Sequence, residues 1–164
     1  MERAEAIAEL TRRYFRSHGP AQLKDFAWWS GLPLAEVRTG ALAGRALEHQ
    51  AIEGKDYWFD PGAGSAADAA GLAHLLPNFD EYTVAYRDRA DIANAHDAFA
   101  SILSNVVTIA GFVRGSWRRI RAPAGVRVEL QTMDRFTAAE KAAVEEAARR
   151  FGRFLEQPVE LIWF

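Results

Sequence analysis

The residues that could take part in acid–base chemistry are densest between positions 74 and 92. Asp80 stands before a tyrosine-rich run, and Arg87, Asp88 and Arg89 stand at its end. A carboxylate beside an arginine could serve as a general base. The structural alternative is that Asp80 caps a turn and Asp88 pairs with a neighbouring arginine where a strand ends. No histidine or second acid has a spacing that requires catalysis. We therefore predict no catalytic residue here, and we predict a structural seam, meaning a segment that joins the N-terminal and C-terminal parts of the chain.

The residue types that hold metals and cofactors are missing or scattered. The chain has no cysteine, which excludes disulfides, thiolate metal sites and cysteine nucleophiles. A glycine-rich stretch at 62–65 lacks the Gly-Lys-Ser/Thr ending of a phosphate-binding loop. The histidines lack the paired spacing of a metal site, so we predict neither a metal nor a cofactor. They are His18, His49, His74 and His96.

Arginines cluster between positions 114 and 127, and no acid interrupts them before Glu129. Strand alternation would divide this run between two faces, which cannot both turn toward a core. We therefore predict a bulge or a twisted edge near Gly115. The run is either a phosphate-contacting patch or a solvated face whose arginine stems shield aromatic rings, and both interpretations stay open. Its members are Arg114, Arg118, Arg119, Arg121 and Arg127.

The first 60 residues predict three helices and then a hairpin. Apolar residues recur at helical spacing over 3–17, 21–30 and 34–47, with Gly-Pro and Gly-Leu-Pro breaks between the segments. Two short apolar arms around a glycine follow over 48–59. This order is typical of a winged helix, in which the third helix can lie in the DNA major groove.

Few basic residues support DNA contact in this part of the chain. Arg38 and Arg45 lie on the predicted third helix, and Lys55 lies at the wing tip. Three cations make a thin electrostatic footprint, so a role in protein packing is an equal alternative. The adjacent Trp28 and Trp29 cannot both face one core, which predicts that one of them is exposed or lies at an interface.

The rest of the chain predicts a linker over 61–75 and an α+β domain over 76–164. Alternating residues predict a strand over 82–87. Three more strands, between Val106 and Gln131, are joined by short turns and predict an antiparallel meander.

A capping box, Thr137 to Glu140, predicts the start of a helix that ends near Leu155, and residues 159–164 predict a last strand. The predicted fold class is thus α+β: an N-terminal winged helix over 1–60, of three helices plus a β-hairpin. It is expected to pack on a C-terminal antiparallel sheet that one long helix covers.

Composition restricts the possible partners. The chain has 164 residues, of which 49% are hydrophobic and 26% charged, as in ordinary globular proteins. The net charge of −2 counts against strong general affinity for nucleic acid. There is neither an apolar run of roughly 20 residues nor a secretory signal, so we predict a cytoplasmic protein without a membrane partner.

Three segments carry a family resemblance: HGPAQLKDFAWWSGLPLAEVR (18–38), HLLPNFDEYTVAYRDR (74–89) and VTIAGFVRGSWRR (107–119). They resemble the bacterial winged-helix DNA-binding proteins related to the crosslink-repair, alkylpurine-type DNA glycosylases. Members of that family are typically more than twice as long, with tandem winged helices before a β-rich C-terminal domain. This chain is similar to the last winged helix and the C-terminal part.

The resemblance implies double-stranded DNA as the partner. In the glycosylase branch catalysis is attributed to a Gln-x-Gln motif, which this chain lacks, so no catalytic residue is carried over. We predict a non-enzymatic DNA-binding module with phosphate contacts at Arg38, Lys55, Arg114, Arg118 and Arg119. The alternatives are the C-terminal part of a base-excision glycosylase, completed by a missing N-terminal partner segment, or an interaction module that forms a homodimer.

Overall fold

The protein is α+β, as the sequence predicts. Its described residues form five helices and two sheets. They group into two compact units, one of Met1–Ala66 with Val84–Asp88 and one of Ala67–Thr83 with Arg89–Phe164. No described helix combines the length and apolarity needed to cross a bilayer. The computed structural model describes residues 1–43, 47–64, 71–90, 92–93, 104–123 and 125–164.

The N-terminal unit has the predicted order of three helices and a hairpin. The helices are α1 (Arg3–His18), α2 (Leu23–Ser30) and α3 (Leu34–Ala43). The hairpin pairs β1 (Glu48–Ile52) with β2 (Lys55–Phe59) in antiparallel register. The third helix was predicted to continue to 47, and residues 44–46, including Arg45, lie outside the described residues.

Aromatic rings form the core of this unit. Tyr14, Phe15 and Phe26 are almost completely buried, and the Tyr14 and Phe26 ring centroids lie 4.9 Å apart. Trp29 packs against Tyr14 at 5.3 Å and is 39% exposed, and Trp28 is 57% exposed, which confirms the prediction that one of the two tryptophans is exposed. Burying each such ring contributes roughly 2–3 kcal/mol.

Gly40 allows α1 and α3 to pack closely. A Cβ atom at this position would lie 2.7 Å from the Thr11 Oγ1 atom, which is too short a contact. The glycine that interrupts the apolar pattern of α3 therefore serves helix packing. An alanine there would push the two helices apart.

A distant segment of the chain completes the N-terminal unit. The Tyr14 hydroxyl donates a hydrogen bond to the Ala85 carbonyl (3.0 Å), and the Tyr86 hydroxyl donates one to the His18 carbonyl (3.0 Å). The strand predicted over 82–87 is wrong, because the chain forms a short helix, α4 (Glu81–Val84). Local capping of this turn by Asp80 outweighs the alternating pattern.

The C-terminal unit is a five-stranded sheet in the order β3-β4-β5-β6-β7. The predicted meander of β4, β5 and β6 is confirmed. The added strand β3 was not predicted, and β7 pairs parallel to β6 because helix α5 carries the chain back to the same end of the sheet. The elements are β3 (Ala73–Leu76), β4 (Val106–Ile109), β5 (Phe112–Ala122), β6 (Gly125–Thr132), α5 (Ala138–Leu155) and β7 (Val159–Trp163).

Apolar strand residues pack against one face of α5. Val107, Val128 and Leu130 of the sheet and Val144 of the helix are all at most 2% exposed. The predicted capping box begins α5, because the Glu140 amide donates to Thr137 Oγ1 (3.2 Å) and the Thr137 amide donates to Glu140 Oε2 (2.7 Å).

The predicted bulge near Gly115 is confirmed. The register between β4 and β5 shifts between Val107 and Thr108, which pair with Gly115 and Val113. Arg114 is therefore the extra residue on β5. A Cβ atom at Gly115 would collide with the Gln131 carbonyl oxygen, so glycine is needed at this point of β5.

Candidate nucleic-acid interface

The seam predicted around positions 80–89 is anchored by a buried carboxylate that sequence reasoning missed. Asp25 is 3% exposed and accepts a hydrogen bond from the Gln22 amide at 2.9 Å. Its other oxygen accepts from the backbone amides of Arg87 (3.0 Å) and Asp88 (3.3 Å). In the sequence, a carboxylate three residues after an N-cap indicates only an ordinary capping box. Its hydrogen bonds to the amides of Arg87 and Asp88 are therefore seen only in the folded chain.

The remaining seam residues also have structural partners. The Asp88 carboxylate lies 3.1 Å from Lys55 Nζ and 3.6 Å from Lys24 Nζ, two cations that the sequence analysis did not connect with it. Arg89 Nε donates to the Thr83 carbonyl at 2.8 Å. Asp80 Oδ1 accepts the Tyr82 amide at 2.9 Å and thereby begins α4. These contacts favour the structural interpretation of the seam.

Helix α3 offers little positive charge. Arg38 is exposed and has no ion pair within the described parts of the chain. Its neighbours on the exposed surface include Leu34, 44% exposed, and Leu42, 70% exposed. Lys55, the other predicted phosphate contact of this unit, lies in the ion pair with Asp88. Arg38 is therefore the only predicted cation on the described part of the unit that lacks a carboxylate partner.

Arg114 is held inside the C-terminal unit. Its guanidinium lies 2.6 Å from Glu140 Oε1 and 5.3 Å from the centre of the Phe136 ring. Hydrogen bonds from the Thr137 backbone amide, and then from the Thr137 and Arg114 side chains, lower the pKa of Glu140. Glu140 therefore stays ionised at neutral pH and balances the Arg114 charge, so this arginine is poorly placed to contact a phosphate.

The outer part of β5, from Arg118 to Arg121, exposes the other arginines to solvent. Arg118 pairs across the hairpin with Glu129 at 2.6 Å, although its side chain is 72% exposed. Arg119 and Arg121 are exposed and make no ion pair with any described residue. They lie two residues apart on one strand face, which places them about 7 Å apart.

The apolar neighbours of these two arginines are already buried. Arg119 lies opposite Val128 and Arg121 lies opposite Val126 in the β5–β6 ladder, and both valines are at most 5% exposed. Cross-strand partners on one face are in contact, so the arginine stems lie beside the valines while the guanidinium groups reach solvent. The two interpretations of the arginine run are thus compatible with each other.

The opposite face of the same hairpin forms a shallow cavity of about 490 Å³. Its polar lining comes from Ser116, Arg118, Glu129 and Gln131, which are cross-strand neighbours, and Phe164 closes one side. Ser116 and Gln131 were not predicted as site residues. Their only sequence signal is that they alternate with apolar positions of β5 and β6.

Family comparison adds to this geometry. A family model described as "DNA glycosylase AlkZ-like" matches residues 1–154 of the chain. The protein belongs to the AlkZ-like DNA glycosylase family. This confirms the predicted relationship to DNA-repair glycosylases at the level of the family. No curated protein matches the chain.

Among solved structures, the fold of this AlkZ-like protein is similar to that of the Streptomyces sahachiroi DNA glycosylase AlkZ. The TM-score is 0.73 at 23% sequence identity. The match covers 99% of this chain and 47% of the AlkZ chain, so this AlkZ-like protein spans about half the length of that relative.

The glutamines of the AlkZ-like chain lie in separate places. Gln22 is 9% exposed and caps α2, whereas Gln50 is exposed on β1. Gln131 is exposed on β6 and Gln157 follows α5. Across the described ranges, no three His, Asp or Glu side chains come together as a potential metal site.

Proposed function

We propose that this AlkZ-like protein is a DNA-binding module without catalytic residues of its own. In this proposal the N-terminal unit is a winged helix, and double-stranded DNA contacts the outer part of β5. The observation that supports it best is the pair of exposed arginines, Arg119 and Arg121, which no described carboxylate neutralises. Membership of a DNA glycosylase family makes DNA the natural ligand for such a pair.

The charge distribution sets the expected strength of binding. The net charge of −2 provides no general attraction to DNA, so affinity depends on local cations. Of the five predicted contacts, Lys55 and Arg114 are held by carboxylates, and Arg118 is partly neutralised by Glu129. A small number of phosphate contacts gives binding that is weak and easily screened by salt.

Fluorescence anisotropy with a labelled duplex at two salt concentrations tests the proposal. We expect saturable binding at low salt. Each phosphate contact should contribute about −0.9 to the slope of log K against log salt, so a slope between roughly −2 and −4 corresponds to a few contacts. Absence of binding at the lower salt concentration would overturn the proposal.

A second function is favoured by the coverage of the AlkZ structure, which is 47%. In this alternative the chain is the C-terminal part of a base-excision DNA glycosylase and requires a partner chain for the rest. The expected outcome is release of an alkylated base from DNA when a chain equivalent to the uncovered half of AlkZ is added, and none with either chain alone. Base release by this protein alone would contradict both proposals.

A further inference from the structure

The connection between β6 and α5 forms a second surface, which the proposed duplex contact does not use. It borders a shallow cavity of about 570 Å³ within the C-terminal unit. Small-molecule sites commonly have volumes of this size. The side chains that matter for its chemistry are Thr132, Asp134, Arg135, Phe136, Lys141 and Trp163.

Two aromatic rings form the apolar part of the cavity. The Phe136 and Trp163 ring centroids lie 5.7 Å apart with their planes at 81°, an edge-to-face arrangement. Both rings are half-buried against the core of the unit. Arg114 lies over Phe136 and is itself held by Glu140, so the rings are fixed before any ligand arrives.

Two cations without carboxylate partners border these rings. Lys141 Nζ lies 5.8 Å from the centre of the Trp163 ring, and its side chain is exposed. Arg135 is also exposed, and neither cation forms an ion pair in the described part of the chain. Asp134 is the exposed acceptor beside them. The cavity thus combines two aromatic rings set edge to face, positive charge and an exposed carboxylate.

The backbone at the start of α5 does not contribute an anion site. Its capping box already occupies the amides of Thr137 and Glu140, and it places the Glu140 carboxylate at this helix end. A negatively charged ligand would therefore be held by the side chains of Arg135 and Lys141. This restricts the position of the charge to the outer edge of the cavity.

We infer that this cavity binds one unpaired nucleotide of a DNA strand. The base stacks on Trp163 in place of the Lys141 ammonium, Arg135 and Lys141 contact the flanking phosphates, and Asp134 accepts a hydrogen bond from the base. An unpaired nucleotide is required because only an unstacked base presents its face to an aromatic side chain. This inference rests on the proposed DNA-binding function and adds a separate strand-binding site to it.

The experiment compares two labelled probes by anisotropy, a single-stranded oligothymidine and a blunt duplex of equal length. The double variant Arg135→Gln/Lys141→Gln should bind the single strand about tenfold more weakly, with a salt slope smaller by roughly 1.4, while its duplex affinity stays within about twofold. Trp163→Phe keeps an aromatic ring in the core and should weaken single-strand binding about threefold without changing the slope. Arg149→Gln/Arg153→Gln removes two charges from α5 away from the cavity and serves as the matched control.

Each result decides the inference. If wild-type protein binds the duplex but the cavity variants bind the single strand as wild type does, the inference is overturned and the proposed function stands. Equal weakening of both probes would indicate a general charge effect and would also overturn it. If neither probe binds, both proposals fail. Circular dichroism and the unchanged duplex affinity show that the variants are folded.

Discussion

Helix α3 and strand β5 were both predicted to contact DNA, and the structure equips them differently. The exposed surface of α3 carries Arg38 beside two leucines that are at least 44% exposed. The outer part of β5 carries Arg119 and Arg121 beside buried valines, and it carries Arg118 on the opposite face, paired with Glu129. Helix α3, which the winged-helix pattern predicts to contact DNA, therefore has fewer unpaired positive charges than strand β5 of the other unit.

The difference follows from how each element is stabilised. A helix that packs on one side exposes the residues of its other side to solvent, and in α3 many of these exposed residues are apolar. A strand in a hairpin satisfies its backbone through its partner, so β5 can carry consecutive arginines wherever their stems find apolar neighbours. The fold consequently does not assign DNA contact to the helix, and each element needs a separate test.

The largest effect on stability is expected from Asp25→Ala, which destabilises the N-terminal unit and changes no residue of β5. The change removes the acceptor for three backbone amides, two of them in the segment 87–88. Buried amides without partners are costly, so we expect a loss of about 3 kcal/mol in the free energy of unfolding. Urea titration followed by tryptophan fluorescence measures it.

Asp25→Asn is the matched control, because it retains an acceptor oxygen and should lose less stability. Duplex binding by Asp25→Ala, measured at a urea concentration where its N-terminal unit is unfolded and its C-terminal unit is folded, sharpens the comparison. If β5 carries the contact, affinity stays near that of wild type, and a parallel loss of affinity would assign the contact to the N-terminal unit.

The double variant Arg119→Gln/Arg121→Gln should have the largest effect on DNA binding. Removing two phosphate contacts should weaken duplex affinity by about tenfold and reduce the salt slope by roughly 1.8. Anisotropy titrations over a range of salt concentrations measure both quantities. Arg149→Gln, which removes an exposed arginine that pairs with Glu146, is the control and should change neither. An unchanged slope in the double variant would exclude β5 as the duplex contact.

A smaller effect is expected from Arg38→Gln on α3. One phosphate contact at this position corresponds to about a threefold loss of affinity and a slope change of roughly 0.9. Lys55→Gln is the comparison within the same unit, because the Lys55 ammonium is held by Asp88 and its loss should leave the slope unchanged. If Arg38→Gln weakens binding more than the β5 double variant does, α3 contributes more than β5 to duplex affinity, which contradicts the expectation.

The smallest effect concerns pH and the surface of α1. Hydrogen bonds from Arg12, and then Arg13, lower the pKa of Glu9 from 4.5 to about 2. Because the folded-state pKa is the lower one, the stabilisation is complete above pH 4.5 and is lost as the pH falls toward 2. The difference in urea midpoint between wild type and Glu9→Gln should therefore shrink over this range.

Glu145→Gln provides the control for that titration, since this exposed carboxylate forms no ion pair with any described residue. Its difference from wild type should vary little over the same pH range. A Glu9→Gln difference that persists at pH 2 would show that the ion pairs with Arg12 and Arg13 do not stabilise α1.

Local patterns predicted much of the fold because they reflect interactions between near neighbours. The apolar periodicity of α1, the capping box at Thr137 and the alternation on β6 all involve residues within four positions of one another. Even the bulge near Gly115 followed from the density of arginines on one strand. The same reasoning failed at 82–87, where alternation suggested a strand and Asp80 instead caps a helical turn.

The sequence by itself determined the α+β class, the order of helices and hairpin, and the cations that could contact DNA. Only the tertiary structure decided which of those cations remain available, because Lys55 and Arg114 meet carboxylates 33 and 26 positions away. It also decided that the seam is anchored by Asp25, more than 60 positions distant from the amides it holds. Such partners come into contact only when the chain closes a long loop, so a local pattern of residues cannot predict these contacts.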